Sequence, residues 1–284
     1  MRKFYKKTIL WFFTAIMPLK GPFFFSLFIF GIGLLFLNLI GVSTTLRNPD
    51  IMQEPLKDKF DLEFSLERFN AELDLLSKNK NLNDSNKIVQ ATYLVNRSMA
   101  HYWHSNQESN YNVEIPAHEN YLLFLLARIY PKKYLKYEFC NWKRAIERGV
   151  GLCSQHVIVE MGVLNRLGIK NRVVGLSGHI VLTAEYQPNK WLVADPDYGV
   201  VVPVSIDLIQ KNTAIIGDYY KRTGYNSNHT AFLIGVYGIE GNYVADTYCG
   251  NGALFEDVLY FLIWIIPMLF MVPLYCIFRS NGHF

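Results

Sequence analysis

The chain has 284 residues, of which 51% are hydrophobic and only 18% charged, enough for one sizeable globular domain plus apolar segments outside it. Its formal net charge of +4 comes from Arg2, Lys3, Lys6, Lys7, Lys20 and Arg279 at the two ends. The middle is close to neutral and lacks the basic stripe that a nucleic-acid partner requires, which excludes that class.

In chain order, residues 8–19 are apolar but too short to cross a bilayer, and Lys20-Gly21-Pro22 interrupts them. An interfacial helix is expected there. Residues 22–42 carry no charge and as a helix would cover about 30 Å, the thickness of a bilayer core. The run is long for a signal peptide and no small-x-small site follows it, so an uncleaved anchor is expected. Residues 258–278 form a second charge-free run, in which Pro267 and Pro273 are expected to introduce kinks that membrane helices tolerate. Basic residues precede the first run and Arg279 follows the second, which predicts two transmembrane helices in the cell (inner) membrane with both termini cytoplasmic. The division is then 1–45 for the interfacial helix and anchor, 46–255 for an extracytoplasmic or periplasmic domain, and 256–284 for the second span and a short tail.

Within the domain, one helix is expected around 65–77. A second covers 87–104, where Ile88, Ala91, Val95, Met99 and Tyr102 fall at helical spacing. Apolar helical stretches follow near 121–129 and 139–148. Asn83, Asn96 and Asn228 stand in N-x-S/T contexts, which an Asn-rich chain produces by chance. No Cys-x-x-Cys pair and no Cys/His cluster with zinc spacing is present, so no metal or other cofactor is expected. Cys276 lies in the apolar terminal run and should be inert. Cys140 and Cys249 are able to pair if the domain faces an oxidising compartment.

The chemistry concentrates from residue 148 onward. The glycines of Arg148-Gly149-Val150-Gly151-Leu152-Cys153 end one helix, and another starts at the cysteine. Cys153, Val157, Met161 and Leu164 share one face, while Ile158 and Val163 make another face apolar, the pattern of a buried helix. Gly168 suits the left-handed position beyond its end. A cysteine at a helix N-terminus has unpaired N–H groups and the positive end of the dipole beside it, which favour the thiolate and offer donors to an oxyanion. Residues 171–177 then read as a strand, Gly178-His179 opens a second, 187–190 is a turn, and a third strand ends at Asp195-Pro196. The order is nucleophile, base and orienting carboxylate: His179 would hold Cys153 as thiolate and Asp195 would fix the imidazole.

Strand parity tests this grouping. Opposed residues of an antiparallel pair share a face, and an even, regular turn would put His179 and Asp195 on opposite faces. The triad therefore predicts an odd loop or a bulge between Tyr186 and Trp191. Asp197 has the same parity as Asp195 and is the substitute acid. His156, one turn from Cys153, reads as structural or substrate-lining. His101, His104, His118 and His229 have no partner pattern, and Glu160 and Glu185 read as structural or exposed.

Taken together, Gly149-Val150-Gly151-Leu152-Cys153, Leu167-Gly168-Ile169, Arg172-Val173-Val174-Gly175, Gly178-His179 and Trp191-Leu192-Val193-Ala194-Asp195-Pro196 resemble the bacterial transglutaminase-like domain. The resemblance covers 148–199, with the helices at 87–104 and 139–148 as its lead-in. Residues 46–86 and 201–255 are not explained by it. It implies an α+β fold with a transglutaminase-like, papain-like core, a nucleophile helix packed on an antiparallel sheet, here flanked by N- and C-terminal transmembrane helices. By position it implies Cys153 as nucleophile, His179 as base and Asp195 as acid.

The expected function is cysteine-dependent acyl transfer through a thioester acyl-enzyme, as an acyltransferase or as a peptidase/amidase, on a cell-envelope substrate. The partners are then the bilayer, an acyl donor and acceptor of peptide, glycan or lipid-linked type, and membrane proteins. The alternative is a non-catalytic membrane scaffold or binding protein that keeps the same fold. A transporter is disfavoured, since two spans without intramembrane charge leave no ion path.

Overall fold

The computed structural model describes residues 21–52, 63–101, 111–222, 227–238 and 242–280. The expected interfacial helix at 8–19 lies outside these residues, as do Tyr102, His104 and the side chains of His229 and Cys276. The chain forms two compact units.

The first unit comprises residues 21–44, 117–122 and 258–280. Helix α1 (Gly21–Ser43) and the terminal helix (Gly252–Ser280), whose first residues belong to the second unit, are each long and apolar enough to span a membrane. Only 11% of the first span and 22% of the second is buried, the reverse of a core helix. Phe36, Leu39, Phe261 and Leu269 point outward. The expected kinks do not interrupt the terminal helix, which continues through Pro267 and Pro273. Pro267 has no N–H, so the carbonyl of Ile263 loses its helical donor. Two side chains replace it: Asn38 Nδ2 donates to the Ile263 oxygen at 2.6 Å and the Tyr121 hydroxyl at 3.1 Å. Gly31 makes the approach possible, since a Cβ there would sit 2.8 Å from the Pro267 oxygen.

The second unit, residues 45–116 and 123–257, is a mixed α+β domain. Ser65 caps helix α2 (Leu66–Lys78), which buries Phe69, Leu73 and Leu76. Asn83 caps α3 (Asp84–Ser98) by accepting from Asn86 N–H, so that N-x-S site is a helix start. The chain leaves α3 earlier than its periodicity indicates. Met99 is extended, and β1 (Ala100–His101) pairs in parallel with β2 (Val150–Gly151). Helix α4 (Ala117–Ile129), whose residues up to Leu122 belong to the first unit, is interrupted by non-helical Asn120, α5 (Pro131–Tyr134) is one turn, and α6 (Trp142–Arg148) starts at its Asn141 cap.

Helix α7 (Cys153–Arg166) is buried on several sides, and Gly168 takes the left-handed conformation beyond its end, with φ +75°. It packs against α3, α6 and two sheet strands. The sheet has the order β6-β5-β4-β3-β7, with every neighbouring pair antiparallel: β3 (Asn171–Leu176), β4 (His179–Gln187), β5 (Lys190–Asp195), β6 (Val200–Val202) and β7 (Tyr243–Ala245). The stretch after 200, which the motifs left unexplained, supplies both edge strands. It also supplies α8 (Ile206–Lys211), α9 (Gly217–Arg222) and α10 (Ser227–Tyr237). These helices bury Ile209, Tyr220, Leu233 and Tyr237 against Val174, Val181 and Val193 of the sheet. The terminal helix, Gly252–Ser280, is α11.

Candidate active site

The hairpin between β4 and β5 decides where the acid points. Leu182 opposes Ala194 and Glu185 opposes Trp191, but the next pair is Gln187 with Lys190, so the register shifts by one at Tyr186. This bulge sits where parity demands an irregularity. Beyond it the pairing carries Asp195 toward Val181, on the face that also holds His179. Asn189, with φ +61°, makes the tight turn, and its N–H donates to Glu185 Oε1 at 2.7 Å.

His179 and Asp195 are both buried, and His179 Nε2 lies 2.7 Å from Asp195 Oδ2. Asp195 is fully solvated by protein. Its Oδ1 accepts from the N–H groups of Asp197 and Tyr198, and Oδ2 also accepts from the Tyr220 hydroxyl at 2.7 Å. Tyr220 in turn contacts the Tyr237 hydroxyl at 3.1 Å. The Tyr198 ring stands edge-on to the imidazole at 5.4 Å. Burial works against the charged imidazole, but the charge and hydrogen bond of Asp195, together with Cys153, outweigh it and raise the His179 pKa well above 6.5. Burial and the Asp195 charge hold Tyr220 far above the ordinary phenol range, so it remains a donor.

Cys153 begins α7, and its sulfur lies within 4.8 Å of a His179 ring nitrogen. The preceding residue, Leu152, is extended and caps the helix without a side-chain bond, which leaves the first N–H groups of α7 open to another acceptor. Two glycines bring the chain in. Gly149 has φ +74°, and a Cβ on Gly151 would fall 2.4 Å from the Gln155 side chain. A cleft of about 640 Å³ opens over Cys153 and His179.

Asp197 has a different role from Asp195. His101 Nδ1 lies 2.9 Å from both of its oxygens, and His156 Nδ1 lies 3.6 Å from one. Burial alone would raise its pKa, but His156 and His101 drive it well below the carboxylate range, so it is charged. His101 therefore has a partner that its sequence context did not reveal. Asn96 fixes the backbone here, donating to the carbonyls of Pro196 and Asp197 at 3.2 and 2.8 Å, which explains that N-x-S site as well. His156 is wholly buried, with Nδ1 2.9 Å from the Leu152 carbonyl and Nε2 3.4 Å from that of Met99. It braces the start of α7 and does not line the cleft. Among the described residues, Cys153, His179 and Asp197 offer ligand atoms within 4.8 Å of one another, close enough to be able to share a metal ion.

Glu160 is buried, and the Thr92 hydroxyl donates to it at 2.5 Å. Burial, opposed by Thr92 and aided by the charge of Asp195, pushes its pKa up to about 8. Glu185 is held below the carboxylate range by the Asn189 N–H and by Lys170.

Sequence reasoning missed the opposite wall of the cleft. Glu138 Oε1 accepts from the Ser154 hydroxyl, and Oε2 accepts from the Tyr248 hydroxyl at 3.3 Å. Burial and the nearby Glu138 charge push the Tyr248 phenol up to about 12. Buried Arg148 donates to the Tyr137 carbonyl and to Gln155 Oε1, and Gln155 holds both the N–H and the carbonyl of Phe139. Cys140 and Cys249 form a disulfide with Cα atoms 5.7 Å apart. Gly252 has no room for a side chain, since a Cβ would lie 2.4 Å from Cys140 Sγ. That pairing was the signal able to put Glu138 and Tyr248 on one wall. No protein-family model and no curated protein matches the chain.

Proposed function

We propose that the protein is a membrane-anchored, cysteine-dependent acyl-transfer enzyme of the transglutaminase-like kind, acting on an envelope substrate from the extracytoplasmic side of the cell membrane. The observation that carries this reading is the position of His179, with Nε2 on Asp195 and a ring nitrogen within 4.8 Å of the Cys153 sulfur at a helix N-terminus. In this reading His179 Nδ1 takes the thiol proton and the thiolate attacks an amide or ester carbonyl. The oxyanion accepts from the first N–H groups of α7, and the imidazolium protonates the leaving group. Asp195 keeps the ring in the tautomer and orientation that both steps need. The resulting thioester passes its acyl group to water, an amine or a hydroxyl. The two apolar helices support the membrane assignment, and the basic residues at the chain ends support its orientation.

The test is alkylation of the full chain by a thiol electrophile at pH 6, where an ordinary cysteine with a pKa of about 8.5 is almost wholly protonated. Rapid modification of Cys153 that disappears in His179→Ala supports the enzyme. Equal, slow modification of both proteins rejects it in favour of the scaffold.

A further inference from the structure

The cleft wall opposite His179 is fastened to the N-terminal part of α11. The Glu256 carboxylate, itself buried, accepts from the N–H groups of Cys140 and Asn141 at 2.6 and 2.9 Å and from the Tyr137 hydroxyl at 3.2 Å. The Cys140–Cys249 disulfide adds a covalent tie just ahead of the same helix, and the Tyr134 ring packs on Phe255 with centroids 6.1 Å apart. Val258, two residues beyond Glu256, begins the charge-free stretch, about 3 Å further along a helix. The wall that carries Glu138 is thus tied to the residues of α11 that immediately precede the charge-free stretch in the chain.

The segment that leads into that wall is amphipathic. Leu125, Ile129 and Tyr130, outside the cleft, are 51–64% exposed, and Pro131, Lys132, Leu135 and Lys136, next in the chain, line it. Apolar side chains with interspersed lysines are what a phospholipid headgroup layer attracts. In the same cleft one carboxylate, Glu138, is held by Ser154 and Tyr248, and Ser154 follows Cys153 in the chain. The cleft therefore offers cations to a phosphate and an anion to an ammonium beside the sulfur.

Resting on the acyl-transfer reading, we infer that the cleft receives an aminophospholipid headgroup from the adjoining leaflet, with its phosphate at Lys132 and Lys136 and its primary ammonium at Glu138. The lipid amine is then the acyl acceptor. An ester or carboxamide donor first acylates Cys153, releasing an alcohol or ammonia. The headgroup ammonium loses one proton to solvent, its nitrogen attacks the thioester carbonyl, and His179 takes the second proton. The C–N bond forms as the C–S bond breaks, and the sulfur leaves as thiolate paired with the imidazolium. The product is an N-acylated lipid.

The experiment uses the full chain in vesicles, acylated at Cys153 by a p-nitrophenyl ester, with thioester decay and lipid mass followed together. Vesicles of phosphatidylcholine are compared with ones containing phosphatidylethanolamine or phosphatidylglycerol. Phosphatidylethanolamine should speed decay at least tenfold and yield N-acyl lipid. Glu138→Gln should abolish most of that acceleration relative to its own hydrolysis in phosphatidylcholine, and Lys132→Ala should raise the phosphatidylethanolamine fraction needed for half-effect. A thioester that forms but decays equally in all vesicles overturns the lipid acceptor and leaves acyl transfer standing. Equal acceleration by phosphatidylglycerol overturns the amine assignment. Failure of Cys153 to acylate removes both readings.

Discussion

Tyr220 donates its phenolic proton to Asp195 at 2.7 Å, across 25 residues of chain and a change from helix to strand. This contact ties the helices that follow the sheet to the acid that orients His179. Tyr220→Phe removes one charge-assisted donor, a loss of about 1.5–3 kcal/mol, while Asp195 keeps the N–H groups of Asp197 and Tyr198. The variant should stay folded with a lower Tm, and its Cys153 alkylation at pH 6 should slow. Paired thermal melts and alkylation rates check both effects.

The two acids should differ in the size of their effects. Asp195→Asn removes the carboxylate from His179 and is expected to slow Cys153 chemistry by roughly 10²–10⁴-fold, in line with an orienting acid in other triads. Asp197→Asn should cost stability by removing the partner of His101 and His156, and, since its carboxylate also lies within 4.8 Å of the Cys153 and His179 ligand atoms, it should slow Cys153 chemistry too, by less than Asp195→Asn. The depressed Asp197 pKa contributes stability that is present above the unfolded value of 3.8 and lost as the pH falls through the lower folded value. Acid denaturation of Asp197→Asn should consequently be less steep than that of the parent, as read by circular dichroism between pH 5 and pH 2.

Glu160 sets an opposite pH dependence. Its pKa rises from 4.5 to about 8 on folding, so the folded state holds a proton that the unfolded state has released. Stability contributed by this group is full below pH 4.5 and declines as the pH climbs toward 8. Glu160→Gln removes the decline. The variant should match the parent near pH 5 and exceed it by about 1–3 kcal/mol near pH 8.5, measured as the difference between Tm values across that range.

Asn38 and Pro267 should be coupled. Asn38→Ala leaves the Ile263 carbonyl with Tyr121 alone and should cost about 1–2 kcal/mol. Pro267→Ala returns a helical N–H to the same oxygen, and in that background the cost of Asn38→Ala should fall by roughly 0.5–1 kcal/mol. A double-mutant cycle of unfolding in detergent measures the coupling, and a value of zero would disconnect the two residues.

The segment 148–199 was readable because its information is local. Helical spacing after Cys153 and β alternation through His179 and Asp195 fix the element types without reference to the rest of the chain, while the face of the acid depended on a hairpin irregularity that parity required but the sequence did not display. The remaining site residues lie where no local rule applies. Tyr220 and Tyr237 come from short helices packed on the sheet, and Glu138 comes from a loop held by Arg148, Gln155 and Glu256. His101 meets Asp197 only because two-residue strands pair in parallel across 50 positions. Such contacts follow from packing at long sequence separation, which spacing does not encode. The donors that compensate Pro267 are equally non-local, since they come from Asn38 and Tyr121.

The extra residue at Tyr186 lets a two-residue turn coexist with the pairing of Glu185 and Trp191. That pairing, more than the number of residues in the loop, keeps Asp195 on the His179 side of the sheet, and a slip of one position along it would turn the carboxylate to the opposite side with no side chain replaced.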